Sequence, residues 1–351
     1  MSRQSRKLDH IHYTLELTDG PTKAGFDDLT LIHNALPEMD YQAIDLCVPF
    51  LGYHLTHPVV INAMTGGSED VTVVNANLAK LAAATHSAMA VGSVFSALER
   101  QAYRESYQVI RKMNPQGIIF ANLGAHATCG QARQAVELIQ ANALQIHLNP
   151  AQEMMMAEGD RTFCGYLRNI EKIVTALDVP VIVKEVGTGM AREQARLLSK
   201  TGIQGIDVSG TGGTNFIAIE AARSKQQPDE ELLSWGIPTV ISAIEVQSVL
   251  PDNLDLMISG GVRTPLDAVK SFVIGAQVVG MAAPWLRAVT AYDMQAVIEQ
   301  FQFFLNAIKK YMLLVGATNC SQLHKKPVVI TGRTREWLTE RNISTTLFAN
   351  R

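Results

Sequence analysis

The densest chemistry in this chain lies in residues 147–153, where His147, Asn149, Gln152 and Glu153 fall within a few positions of one another. An imidazole and two carboxamides offer donors and acceptors without a strong acid. The carboxylate is a hard oxygen ligand able to hold Mg²⁺ against a phosphate. The same stretch also reads as a helix start, with Asn149 as N-cap, Pro150 in the first turn and Glu153 in the capping region. The two roles are compatible. A second feature is Lys184, set inside the otherwise apolar run VPVIVKEV. A buried ammonium needs an anion, which leaves an internal ion pair with a carboxylate such as Glu185, a cation against an anionic cofactor ring, or a Schiff-base lysine. A third is a series of glycine clusters, Gly210–Thr214, Ser259–Gly261 and Gly280–Pro284. Chain without Cβ atoms lets N–H groups approach phosphate oxygens, and a following helix start adds its positive end. A fourth is the basic start, Arg6, Lys7 and His10, which reads either as a solvated tail or as a lid carrying cations to a diphosphate.

Such residues act together only if the fold brings them to one place. From Val59 onward, short apolar runs alternate with helical patterns, the runs beginning near Val59, Ala88, Gly117, Ala143, Val179, Gly205, Leu254 and Gln277. Continuous apolar strands are what a parallel sheet covered on both faces requires, and their alternation with helices implies right-handed crossovers. Eight such units predict an α/β protein, a (β/α)8 TIM barrel, in preference to an open doubly wound sheet. Residues 1–58 form an N-terminal extension, 59–315 the barrel and 316–351 a C-terminal appendage. The polar stretch RSKQQPDEELLSWG reads as an exposed loop between the sixth and seventh strands.

In such a barrel the active site is built from the loops that follow the strands. Those loops carry Met64 and Thr65, Ser93, Asn122, the 147–153 cluster, Lys184, Ser209 and Thr214, Gly260 and Gly261, and Ala282 and Ala283. No GxxxxGK[ST] occurs and no GxGxxG opens a βα unit, which argues against a nucleoside triphosphate or a Rossmann cofactor.

Composition sets the outer bounds. With 351 residues, 47% hydrophobic and 18% charged, the chain is built for a large core, and a net charge of −3 argues against general attraction to nucleic acid. No run approaches a membrane span and the start lacks the apolar core of a signal peptide, so a cytoplasmic globular protein is expected. The four cysteines form no CxxC pair and read as reduced, mostly buried thiols.

Taken together, RKLDHI, AMTGG, VGS, ANLGA, HLNPAQE, VKEVGTG, DVSGTGGT, SGGVRT and GMAAP resemble the type 2, FMN-dependent isopentenyl diphosphate isomerases over nearly the whole chain. The resemblance implies conversion of isopentenyl diphosphate to dimethylallyl diphosphate with reduced FMN and Mg²⁺, NADPH or another donor priming the flavin, in a homo-oligomer (tetramer or octamer). It implies that Ala63, Met64, Thr65, Ser93, Asn122, Lys184, Ser209, Thr214, Gly260, Gly261, Ala282 and Ala283 hold FMN. It also implies that Gln152, His147 and Asn149 are catalytic residues facing the substrate, that Arg6, Lys7, His10 and Gln152 bind the substrate, and that Glu153 binds Mg²⁺. Residues Val94, Phe95 and Ser96 depart from the family, where a more polar segment is expected. The rivals are a non-catalytic flavoprotein sensor, for which the Arg6–Lys7 and HLNPAQE clusters would have no purpose, and a flavin oxidoreductase acting on 2-hydroxy acids. Such enzymes carry a histidine closely followed by glycine and arginine, whereas no histidine stands near Gly260–Arg263.

Overall fold

The computed structural model describes residues 3–351 apart from Thr65, Gln226 and Pro228, with backbone alone for residues 3–7 and Glu69. Eight parallel strands close into a barrel in sequence order: β1 (Val59–Ile61), β2 (Met89–Ala90), β3 (Ile119–Gly124), β4 (Ala143–His147), β5 (Val181–Lys184), β6 (Gly205–Asp207), β7 (Asp255–Ser259) and β8 (Val278–Met281). The last strand pairs with the first, Val279 opposite Val59, which seals the cylinder. Each strand falls within one of the eight apolar runs. The runs need no alternation because both faces are covered, by side chains inside and helices outside.

One main crossover helix follows each strand: Thr72–Thr85, Glu105–Met113, Cys129–Ile139, Tyr166–Ala176, Arg192–Leu198, Thr239–Gln247, Pro265–Val273 and Met294–Val315. Local chemistry fixes several ends. Thr128 with Gln131 and Thr264 with Asp267 form capping boxes, and the long last helix starts on Asp293 and stops at Gly316, whose φ is +74°. Val297, Phe301, Phe304, Ile308 and Met312 are the buried face of that helix, as the spacing predicts.

The remaining segments close the two ends. A hairpin, Val48–Phe50 with Tyr53–Leu55, plugs the N-terminal end, where Phe50 meets Phe120 at 6.2 Å between ring centroids. The Leu51 N–H donates to the Asp255 carboxylate at 2.6 Å. A helix, Arg3–Glu16, lies at the opposite end, its Ile11 packed with Met64, Val71, Ala283 and Leu286. Arg287 donates to the carbonyls of Thr14 and Leu17 at 2.9 and 3.1 Å and so closes that helix's last turn. Leu29–Leu31 pairs antiparallel with Val328–Ile330, which ties the two ends of the chain together.

Two expectations are corrected. The cysteines are all free, but only Cys320 is buried; Cys47 and Cys164 are exposed, because they lie outside the strands and helices that face the core. The polar insert is not wholly an exposed loop. It begins inside the helix Phe216–Ser224, where Arg223 is buried by its ion pairs, and it contains the short helix Glu230–Leu233.

Candidate functional site

A cavity of about 390 Å³ opens at the C-terminal end of the strands, beneath the N-terminal helix. Of the site residues proposed from sequence, His10, Ala63, Met64, Ser93, Asn122, His147, Asn149, Gln152, Glu153, Lys184, Ser209, Thr214, Gly260, Gly261, Ala282 and Ala283 line it. Thr65 and the side chains of Arg6 and Lys7 lie outside the described residues. The departing segment after β2 also faces this space, through Phe95 and Ser96.

At the centre, Lys184 leaves the end of β5 with its side chain buried and its ammonium donating to the main-chain oxygen of Glu185 at 2.8 Å. The Glu185 carboxylate is turned away, accepting from the Val186 N–H at 2.5 Å and the Thr188 hydroxyl at 2.6 Å. Burial pushes that carboxyl up to about 7, against the hydrogen bonds of Thr188 and Val186 and the charge of Lys184. Burial also pulls the Lys184 ammonium below its usual range, opposed first by the negative charge of Asp207 and then by Glu185. An ammonium so placed lacks a direct carboxylate contact among the described residues and presents its charge to the cavity.

On one side stands the cluster from β4. Asn149 occupies the N-cap position of the helix Pro150–Met155, but its amide donates to Glu153 at 2.8 Å and to Gln152 at 3.3 Å instead of capping. The second Glu153 oxygen accepts from the Asp160 N–H at 2.8 Å. Gln152, itself nearly buried, donates to Glu220 at 2.9 Å, and His10 Nε2 meets the same carboxylate oxygen at 2.8 Å. Arg223 holds the other oxygen at 2.6 Å. Burial would raise the Glu220 carboxyl, but the bond and charge of His10, with the bonds of Gln152 and Arg223, hold it down at about 2. Glu220 is fully enclosed and ionised, and it joins the N-terminal helix to Gln152. Sequence reasoning missed it, since one acid on the helical run FIAIEAARS carries no local mark. His10, by contrast, belongs to no solvated tail.

Opposite lies the anion-receiving side. The helix Ala283–Ala291 starts at the cavity wall with Ala282 at its N-cap and no side-chain cap, so its first N–H groups have no side-chain oxygen from that residue. The glycines of the adjoining loops are required by packing between the loops themselves. A Cβ at Gly260 (φ +92°) would lie 2.3 Å from the Gly210 oxygen, and one at Gly261 (φ +84°) 2.6 Å from the Gly212 oxygen.

Residues 99–330 match the family of FMN-dependent dehydrogenases. The chain is 43% identical to an isopentenyl-diphosphate delta-isomerase of Symbiobacterium thermophilum, over 99% of this chain and 98% of that one. It is 44% identical to an isopentenyl-diphosphate delta-isomerase of a Geobacillus species over the whole of both. The chain belongs to the FMN-dependent isopentenyl-diphosphate delta-isomerase family. In fold it is also similar to mandelate oxidase with (S)-4-hydroxymandelic acid, at TM-score 0.66 and 14% identity over 93% of this chain and 97% of that one.

The cavity of this isomerase-family chain fits FMN. The uncapped helix start at Ala282–Ala283 suits a phosphate, and Lys184 and the Asn122 amide suit a ring that carries negative charge. Glu153 fits Mg²⁺ as a single carboxylate, each of whose oxygens keeps a lone pair after its one internal bond. No cluster of three or more metal-ligating side chains occurs among the described residues, so a metal there would complete its shell with waters and substrate oxygens. Arg263 also lines the cavity and donates to Asp19 at 2.5 Å.

Proposed function

We propose that this protein interconverts isopentenyl diphosphate and dimethylallyl diphosphate, with FMN seated against Lys184 and the helix start at Ala283, and Mg²⁺ on Glu153. The observation that carries the reading is the Gln152–Glu220–His10 junction: an uncharged amide, oriented by a fully buried carboxylate, beside an apolar cavity wall. Double-bond transposition in an unactivated alkene needs a proton at one carbon and its loss at another, with positive charge developing between. Reduced FMN, when bound, supplies an electron-rich ring for that charge and the acid/base for the proton.

The chain's own residues then divide the work. Lys184 offsets negative charge on the ring. Asn149 holds Gln152 and Glu153 in fixed orientation, and Glu220 takes one amide hydrogen of Gln152, so that the amide steers the hydrocarbon end without delivering a proton itself. His147, Arg6, Lys7 and His10 supply donors and cations to the diphosphate. Met156 and Phe216 exclude water from the reacting carbons. NADPH reduces the flavin once and is not a stoichiometric substrate. The protein acts in the cytoplasm as a homo-oligomer, a tetramer or octamer, and no described helix is long and apolar enough to cross a membrane.

The test is a product assay with isopentenyl diphosphate under anaerobic conditions, recording NADPH consumed per product. Dimethylallyl diphosphate formed with far less than one NADPH per turnover supports the reading. One-to-one consumption, or turnover of a 2-hydroxy acid in its place, overturns it.

A further inference from the structure

Beneath the cavity, five polar side chains from four strands or their ends, Gln145 and His147 both on β4, form one line. Asn62 Nδ2 donates to Asp207 at 2.9 Å, Gln145 Nε2 to Asn62 Oδ1 at 3.1 Å, and Asn122 Nδ2 to Gln145 Oε1 at 3.0 Å. His147 Nδ1 then meets Asn122 Oδ1 at 2.8 Å. Asp207 and Gln145 are fully enclosed and Asn62 and Asn122 nearly so. Polar groups placed there at the cost of desolvation form a complete chain of bonds.

The polarity of the chain is fixed at its far end by main-chain donors. The Ala63 N–H, which can only donate, gives its hydrogen to Asn62 Oδ1 at 2.8 Å, so the Asn62 NH₂ must face Asp207. Asp207 has its other oxygen filled by the Ser259 hydroxyl at 2.6 Å and the Ser209 N–H at 3.3 Å. With Asn62 fixed, Gln145 can present only its NH₂ to Asn62, and its oxygen must take the NH₂ of Asn122. The Asn122 oxygen is left for the imidazole, which must bring a hydrogen.

We propose that Asp207, Asn62 and Gln145 are positioning residues that hold His147 with Nδ1 protonated, so that Nε2 is the nitrogen whose protonation changes. The inference deepens the proposed function by adding to His147 a defined tautomer, and it rests on that reading only for the statement that His147 meets a diphosphate. An imidazole locked at Nδ1 offers a diphosphate one donor position at Nε2 when charged and an acceptor there when neutral.

The experiment is ¹⁵N NMR of the FMN-loaded protein labelled at histidine, without substrate, the His147 resonances being identified by their loss in His147→Gln. The wild-type protein should show the Nδ1–H form as the one neutral tautomer of His147. Gln145→Met, which removes the middle link, should bring in the Nε2–H form. Gln145→Glu keeps an acceptor toward Asn122 and should retain the wild-type tautomer. Asn62→Leu, which removes the acceptor that orients the Gln145 amide, should act like Gln145→Met. If that variant does not fold, the Gln145 pair decides. An Nε2–H form in the wild-type protein, or an unchanged tautomer in Gln145→Met, overturns the proposal. Because the spectrum needs no turnover, a protein with the stated tautomer and no isomerase activity would sink the function and leave the relay standing.

Discussion

The two ends of this barrel are made by the same eight strands and bury polar groups in opposite ways. At the floor, His57 donates from Nε2 to the Thr85 carbonyl at 3.0 Å and accepts at Nδ1 from the Val59 N–H at 3.3 Å. Asp255 there accepts from the Leu51 N–H. The shortest of these bonds are to main chain, the Ser87 hydroxyl standing 3.3 Å from the same His57 Nε2, and the surroundings are apolar, with Phe50 and Phe120 fully buried. At the mouth, the partners of His147, Gln152 and Glu220 are other side chains. His147 and Gln152 are held by side chains at the cavity wall, where a ligand can reach them; His57 and Asp255 do not line the cavity. The difference teaches that burial alone does not mark a functional group, whereas burial against side-chain partners beside a cavity does.

The largest effect expected from this contrast is at the floor. Phe50→Ala should cost about 3–5 kcal/mol of stability by leaving a cavity under the barrel. Turnover per bound flavin in the protein that remains folded should not change. Urea unfolding together with flavin-normalised activity checks this, and a fall in turnover would erase the division between the ends. Next comes His57. Burial lowers its pKa from 6.5 to about 4, so the folded state favours the neutral ring. Its contribution is complete above pH 6.5 and is lost as pH falls toward 4, up to about 3 kcal/mol. Urea midpoints across that window should decline less in His57→Gln than in the natural protein.

At the mouth the sign reverses, with activity lost and stability kept. Gln152→Ala should lower kcat about 100-fold, about 2.7 kcal/mol of barrier, and leave the unfolding midpoint nearly unmoved. A rise in KM alone would assign Gln152 to binding. Lys184→Ala should weaken FMN about 30-fold, about 2 kcal/mol, read by flavin titration of the apoprotein; unaltered affinity and reduction potential would make this lysine structural. The smallest effect is at Glu153. Glu153→Gln should raise the Mg²⁺ needed for half-maximal rate about tenfold, about 1.4 kcal/mol, and an unshifted Mg²⁺ curve would return Glu153 to a helix-start residue.

Much of this was legible in the linear order of residues. A strand buried on both faces must be a continuous apolar run, and a barrel must repeat that run eight times, so the eight strands and the residues just beyond them could be read directly. The polar residues inside those runs, Gln145 in ALQIHL and Asp207 in GIDVSG, also carried a signal, because nothing in a doubly covered strand accounts for them. What chain order could not disclose was partnership. Glu220 meets His10 across 210 residues, and only the closure of the N-terminal helix over the mouth makes an ordinary helical acid the anchor of Gln152. The need for glycine at 260 and 261 likewise comes from a neighbouring loop that sequence spacing does not locate. Periodicity and composition are local, so the sequence by itself determined the elements and which residues stand at their ends. Hydrogen bonds and burial are set by approach in space, so only the tertiary structure decided which of those residues face one another and in what state they are held.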